Sequence, residues 1–184
     1  MYADDYFDVF YKNLQDELET KPPSYFSASD LKISYAPIER GAPYRAYGNA
    51  VGVIFTKPHQ GTPLEHELTI LERASKGSKD ELEKLQGLID EYKRIEEELV
   101  SKVEVPSALL ITHLTLLNSV AGVLEGIEGM KVITSDPVQS AAKMQRYPES
   151  VEGLATSLKS IAEFMRQQNI RFTQNETGYI FSSI

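Results

Sequence analysis

The feature that most constrains the fold is the stretch from Pro106 to Ile133, which has the most sustained apolar pattern in the chain. Its apolar residues recur at the three- and four-residue spacing of an α-helix. The main stripe consists of Leu109, Leu116, Val120, Val123, Ile127 and Met130, and further leucines at 110, 114, 117 and 124 widen it. A helix that is apolar on most sides is expected to be buried, so this stretch predicts a central helix.

Amphipathic patterns on both sides of this stretch predict two further long helices. Inward positions of a helix over 78–102 are Leu82, Leu85, Ile89, Tyr92, Leu99 and Val103. Inward positions of a helix over 148–169 are Val151, Leu154, Leu158, Ile161 and Met165. The short connections at 103–106 and 134–136 reverse the chain direction. The sequence therefore predicts an all-α fold, an antiparallel helical bundle with an irregular N-terminal loop region and a short extended or hairpin-like C-terminal tail.

Shorter elements are predicted from caps and breakers. Helices are expected at 3–20, at 63–75 with Pro63 in the first turn, and from Pro137 with Asp136 as N-cap. Residues 44–57 favour a helix, although the β-branched run over 51–56 leaves a strand open. Ser78 opens a Ser-x-x-Glu capping box, and Ser107 is a candidate cap for the central helix. Asn169 is a candidate cap at the end of the last helix.

The 184 residues are expected to form a single domain. Within it, 1–43 comprise an N-terminal helix and an irregular loop with a short strand over 31–35, after which Pro37, Gly41 and Pro43 are expected to break any regular element. Residues 44–169 form the helical bundle. Residues 170–184 form the tail, either a hairpin or an apolar strap laid across the bundle.

Composition excludes several functions. The absence of cysteine excludes disulfides, thiolate metal sites and a cysteine nucleophile. A formal net charge of -8, without a basic stripe, argues against a nucleic-acid partner. His113, Asn118, Glu125 and Glu128 argue against a membrane span in the central helix. The acidic N-terminal residues do not resemble a signal peptide, so any anchor or export signal is expected outside this sequence.

The sequence contains no catalytic motif. It has no Gly-rich phosphate loop, nucleophile elbow or HExxH, and its three histidines lack metal-ligand spacing. We therefore expect no catalytic, cofactor-binding or metal-binding residues and no cofactor. His66, flanked by Glu65 and Glu67, predicts a solvated helix surface, as does the run Glu96-Glu97-Glu98.

His113 and Asn118 are the candidate ligand-contacting residues, because they are polar positions within the most apolar helix. The structural interpretation is a buried His113, neutral at pH 7 and hydrogen-bonded to a tyrosine hydroxyl, a backbone carbonyl or an ordered water. The functional interpretation is a group that contacts a ligand or handles a proton. Gly48 and Gly52, four apart on one helix face, favour close packing of another helix, with approach of a ligand as the alternative.

Several phrases in sequence order resemble a group of uncharacterised helical proteins encoded by small-genome, uncultivated bacterial lineages. They are Asp30-Leu31, Tyr47-Gly48-Asn49, Val105-Pro106, His113-Leu114, Leu117-Asn118, Asp136-Pro137 and Tyr147. The resemblance covers about residues 30–180, and its most specific part is P-x6-H-x3-LN followed by the Asp-Pro restart. Members of that group are often membrane-anchored with an exported helical domain. The resemblance implies an extracytoplasmic or cell-surface location and assigns no catalytic residue.

Two functions are expected from these observations. The first is a non-enzymatic helical scaffold or protein-binding module at the bacterial cell envelope, whose partner is a protein. The second is a small-molecule-binding or enzymatic bundle with a site near His113, since helix bundles house sites between facing helices. Whether His113 opens onto a cavity distinguishes the two.

Overall fold

The computed structural model describes residues 25–35, 41–58, 63–76 and 79–184. The predicted helix over 3–20, the loop containing His59 and the Ser78 end of the capping box lie outside these ranges.

The described residues are mainly α-helical, as the sequence predicts. The α-helices are α1 (Gly41–Thr56), α2 (Glu67–Ser75), α3 (Leu85–Lys102), α4 (Leu110–Lys131), α5 (Pro137–Met144) and α6 (Tyr147–Gln167). The strands are β1 (Lys32–Ser34) and β2 (Glu104–Pro106). Four 3-10 helices cover Ala28–Asp30, Lys79–Lys84, Ser107–Leu109 and Thr177–Ser182.

Helix α4 is the central element, and its predicted burial is confirmed. It contacts α3, α5 and α6, and Leu116, Val120 and Ile127 are fully buried. Small residues let α6 approach closely: a Cβ on Gly126 would lie 2.7 Å from Cβ of Tyr147. Burying large side chains on three sides of one helix is the main source of its stability, because the hydrophobic effect scales with the apolar area removed from water.

In the described part of the chain, the core comprises two apolar clusters to which α3 and α4 both contribute. The first contains Tyr44, Tyr47, Leu99, Leu116 and Ile161 among its buried residues. The second contains Ile70, Leu85, Ile89, Ile127 and Met130. Tyr92 and Leu154 pack against both clusters, so the two halves of the core are continuous.

The two strands join the N-terminal segment to the start of α4. They pair in parallel, with Ile33 opposite Val105, which confirms the short strand expected within 31–35. Pairing in parallel requires a long crossover, and here α1, α2 and α3 lie between the strands. The strand at Glu104–Pro106 was not predicted, because its partner is distant in sequence.

Helix α1 begins earlier than expected. The predicted break at Gly41 and Pro43 is wrong, because both residues lie in its first turn. Proline is compatible with a first turn, since the first N–H groups have no partner within the helix. The alternative of a strand over 51–56 is also wrong, because the glycine-bearing face of α1 packs against other parts of the fold as a helix.

Two other helix starts differ from prediction. Helix α2 begins at Glu67 rather than near Pro63, and the N-cap is His66, whose Nδ1 accepts from the Leu68 N–H at 3.3 Å. Ser107 does not cap α4, which starts after a 3-10 turn without a side-chain cap. Since α4 is held by its neighbours, it does not depend on a cap.

The ends of α5 and α6 follow local rules. Asp136 caps α5, its carboxylate accepting from the Gln139 N–H at 3.0 Å, and Pro137 occupies the first turn as predicted. Helix α6 ends at Gln167, and Asn169, one residue past the C-cap, has a left-handed φ of 55°.

The prediction that Val151 faces inward is wrong, because it is 40% exposed.

The tail, residues 170–184, is called the strap from here on. It forms a 3-10 helix at Thr177–Ser182 rather than a hairpin, and it contacts α1 and α6. Phe172 and Phe181 are buried in the first core cluster. The strap therefore closes one side of the core.

Candidate functional site

His113 lies near the start of α4 and is fully buried against α1. Its Nδ1 lies 3.1 Å from the hydroxyl oxygen of Tyr47, and the two rings meet edge to face with centroids 5.7 Å apart. Tyr47 is 1% exposed, so the pair is closed off from solvent. The expectation of a buried histidine hydrogen-bonded to a tyrosine is confirmed.

Burial determines the electrostatics of this pair. Removal from water lowers the pKa of His113 to about 4, partly offset by the carbonyl of Leu99, which favours a proton on the ring. Although the Leu99 carbonyl lies close enough to affect the pKa, Nε2 of His113 makes no hydrogen bond of good geometry to any described residue. Burial also raises the pKa of Tyr47. Both side chains are therefore neutral at pH 7.

Asn118 lies just over one turn further along α4 and binds the N-terminal segment. Its Oδ1 accepts from the Phe26 N–H at 3.0 Å, and its Nδ2 donates to the carbonyls of Phe26 at 3.3 Å and Leu114 at 2.9 Å. Nearby, the Tyr25 hydroxyl donates to the carboxylate of Glu125. These bonds fasten residues 25–26 to α4, and the polar atoms of Asn118 are occupied. Among the described residues, His113 and Asn118 have different hydrogen-bond partners: Tyr47 for His113, and Phe26 with Leu114 for Asn118.

A groove of about 530 Å³ has Tyr47 in its wall. It is lined by Ser34, Ala42, Pro43, Ala46, Tyr47, Ala50, Lys102 and Glu104. Its volume falls in the range of small-molecule sites. Tyr47 therefore both lines the groove and lies, through its hydroxyl oxygen, 3.1 Å from Nδ1 of His113, whereas His113 is not among the described residues that line the groove.

A buried acid that sequence reasoning missed is Glu67, the first residue of α2. It is 8% exposed, and its carboxylate accepts a hydrogen bond from the hydroxyl of Tyr147. Burial, followed by this bond, raises the pKa of Tyr147. Burial and then the charge of Glu67 raise the pKa of Tyr92 to about 12. The expectation of a solvated surface holds for His66 and is wrong for Glu67.

Glu98 is a second acid that was expected in solvent and is instead 8% exposed. Its Oε1 lies 3.0 Å from Nζ of both Lys57 and Lys102, and Arg94 pairs with its other oxygen at 3.3 Å. Burial alone would raise the pKa of Glu98, but the bonds from the two lysines lower it overall. The cluster ties the end of α1 to α3, which is a structural task.

Among the described residues, no group of three or more His, Asp or Glu side chains is arranged to hold a metal ion. In the same part of the chain, the helical stretch Ser107–Lys131 is long and apolar enough to cross a membrane. However, 56% of its most apolar window is buried inside the fold, and the core helix of a soluble protein meets the same criterion.

Comparison with known proteins finds no matching family model, no matching curated protein and no matching solved structure.

Proposed function

We propose that this protein is a non-enzymatic helical scaffold or protein-binding module at the bacterial cell envelope. The observation that supports it best is the closure of His113, which is fully buried, neutral and bonded to Tyr47. Asn118 is likewise occupied by the backbone of Phe26. The polar groups that a catalytic site in α4 would need serve instead to hold chain segments together.

In this proposal α3, α4 and α6 form an antiparallel bundle that presents its outer faces to a protein partner. The contacts between α4 and α6 support this arrangement: Ser119 lies near Gly153, Gly122 near Ser150, and Gly126 near Tyr147. Residue numbers fall along α6 as they rise along α4. Two helices related in this way run in opposite directions.

The partner is a protein rather than a nucleic acid, because the chain has a net charge of -8. Exposed apolar side chains are candidate contacts, and Tyr35 and Ile111 are 83% and 81% exposed. A photo-reactive amino acid at either position should give one discrete protein adduct in the native cells. The same group at Glu149, also exposed, is the control. Adducts that do not differ between the three positions would argue against a specific partner.

The envelope location derives from the resemblance to exported, membrane-anchored helical proteins. Fractionation of the native cells, with antibody detection, tests it. We expect the protein in the envelope fraction. Recovery only with a cytoplasmic marker enzyme would overturn the location without affecting the binding role.

A second candidate function is a small-molecule-binding or enzymatic bundle with a site near His113. The groove of about 530 Å³ against Tyr47 is the observation that favours it. It ranks second because His113 is fully buried and is not among the described residues that line the groove.

Chemical modification of histidine separates the two functions. Diethyl pyrocarbonate acylates accessible imidazoles, and mass spectrometry locates the product. We expect rapid modification of the exposed His66 and protection of His113 until the protein unfolds. Equal rates at the two positions would show that the core opens to solvent at His113, and would favour the second function.

A further inference from the structure

The strap packs against one face of α1, called the seat from here on, which consists of Arg45, Gly48, Asn49 and Gly52. The two glycines have no side chains, and this leaves room for the strap. A Cβ on Gly48 would collide with the ring of Phe172, and a Cβ on Gly52 would lie 2.8 Å from the backbone nitrogen of Gly178. Close approach of two backbones requires glycine on the receiving face. Close packing at Gly48 and Gly52 is thus confirmed, but the element packed there is the strap rather than another α-helix.

Two side chains of α1 recognise the strap through polar contacts. Arg45 donates from one terminal nitrogen to both carboxylate oxygens of Glu176, at 2.8 and 2.9 Å, and from the other to the carbonyl of Arg171 at 2.5 Å. Asn49 accepts from the Gly178 N–H at 2.9 Å through Oδ1. Its backbone carbonyl accepts from the Thr177 hydroxyl at 2.7 Å. The seat therefore binds the strap through hydrogen bonds to specific residues as well as through apolar contact. An arbitrary apolar segment would not satisfy these hydrogen bonds.

The connection between α6 and the strap depends on one unfavourable backbone conformation. Asn169 is the single non-glycine residue with positive φ in the described part of the chain. The N–H groups of Asn169 and Ile170 donate to the carbonyls of Arg166 and Met165, at 3.1 and 2.9 Å, as in a Schellman motif. If Asn169 took helical angles instead, α6 would continue and the strap would leave its seat.

We propose that the seat on α1 also accepts the strap of a second copy of this chain, giving a strap-exchanged dimer. Exchange preserves every contact between seat and strap, because the same residues meet in trans. It also relieves the left-handed conformation at Asn169 in both copies, and strain in a hinge favours exchange. The loss of entropy when two chains associate favours the monomer. The dimer is therefore expected to form only as the protein concentration rises. This proposal is independent of the identity of any other partner.

Charge reversal of the ion pair between seat and strap tests the exchange. Arg45→Glu and Glu176→Arg chains each carry a repulsive pair, whether the strap sits in its own seat or in that of an identical copy. When the two are mixed, unfolded together and refolded, exchange places opposite charges at both seats. We expect each variant alone to sediment as a monomer and the equimolar mixture to sediment as a heterodimer.

The double variant Arg45→Glu/Glu176→Arg is the matched control, because it restores opposite charges within one chain. It also carries the loss of the bonds from Thr173 to the Glu176 carboxylate, which every Glu176→Arg chain shares. Circular dichroism verifies that all variants fold. A mixture of folded variants that remains monomeric at the concentrations where the wild type dimerises, or a wild type that stays monomeric throughout, overturns the proposal.

Substitutions at Asn169, the hinge between α6 and the strap, test the exchange independently through the dimer dissociation constant. Asn169→Ala disfavours the left-handed conformation and should lower the dimer dissociation constant by about tenfold. Asn169→Gly removes the strain and should raise the constant. A dimer whose affinity is the same in both variants, and in the charge-reversed pair, uses another surface and contradicts strap exchange.

Discussion

His113 links the stability of the fold to pH. The unfolded ring takes up a proton below about pH 6.5, whereas the folded ring, with its pKa lowered to about 4 by burial, stays neutral through that range. The contribution of His113 to the free energy of unfolding is therefore fully present above pH 6.5 and is lost as the pH falls toward 4. The full effect is on the order of 3 kcal/mol.

We expect His113→Ala to lose about 1–3 kcal/mol at pH 7, since the Tyr47 hydroxyl loses its partner. The difference from wild type should shrink as the pH falls, because the variant lacks the titration. Urea midpoints between pH 4 and pH 8 measure this. Tyr47→Phe is the control: it removes the hydrogen bond but keeps the pH dependence. Parallel profiles for wild type and His113→Ala would show that the ring is not buried.

Asn118 acts as a two-way clamp on the backbone of Phe26. Replacing it with alanine leaves a partly buried N–H without its partner, and we expect a loss of about 1–3 kcal/mol. Asn118→Asp is the matched control, because a carboxylate still accepts from that N–H but cannot donate to the Phe26 carbonyl. Hydrogen exchange at the Phe26 amide should be fast in Asn118→Ala and slower in Asn118→Asp. Unchanged protection in the alanine variant would contradict the clamp.

At the scale of elements, α4 packs against α3, α5 and α6, and residues on its different faces differ in exposure. Leu116 is fully buried, so Leu116→Ala should destabilise the protein by about 2–5 kcal/mol. Ile111 is on the same helix and is 81% exposed, so Ile111→Ala should change stability by no more than about 0.5 kcal/mol. Thermal melting of both variants measures the contrast. Similar shifts in the two would mean that α4 is not packed as described.

At the scale of the whole molecule, the two core clusters should unfold together. Tyr92 and Leu154 contact both clusters, and α3 and α4 run through both, so neither half can open without exposing the other. We expect a single transition, with circular dichroism and tyrosine fluorescence coinciding. Leu99→Ala in the first cluster and Ile89→Ala in the second should lower the same midpoint. Two separated transitions would show independent subdomains.

The sequence by itself determined the features that depend on neighbours within a turn or two. The apolar stripe through Leu116 predicted the central helix, because periodicity and burial are linked along one element. The Asp136-Pro137 start of α5 followed from capping chemistry. The burial of His113 and its need for a hydrogen bond could also be predicted, since a polar group among leucines requires one, but a tyrosine hydroxyl was only one of three kinds of partner expected.

Only the tertiary structure decided which distant groups meet. Tyr47 is 66 residues from His113 and Phe26 is 92 residues from Asn118, and no local pattern specifies either pairing. Glu67 and Glu98 are acidic residues on amphipathic helices, so their burial follows only from Tyr147 and Lys57 on other elements. The role of Gly52 likewise follows from the strap that lies against it. Each of these contacts joins residues that are far apart in the sequence. One residue type has many candidate partners at such distances, and the packing of the whole fold selects one of them.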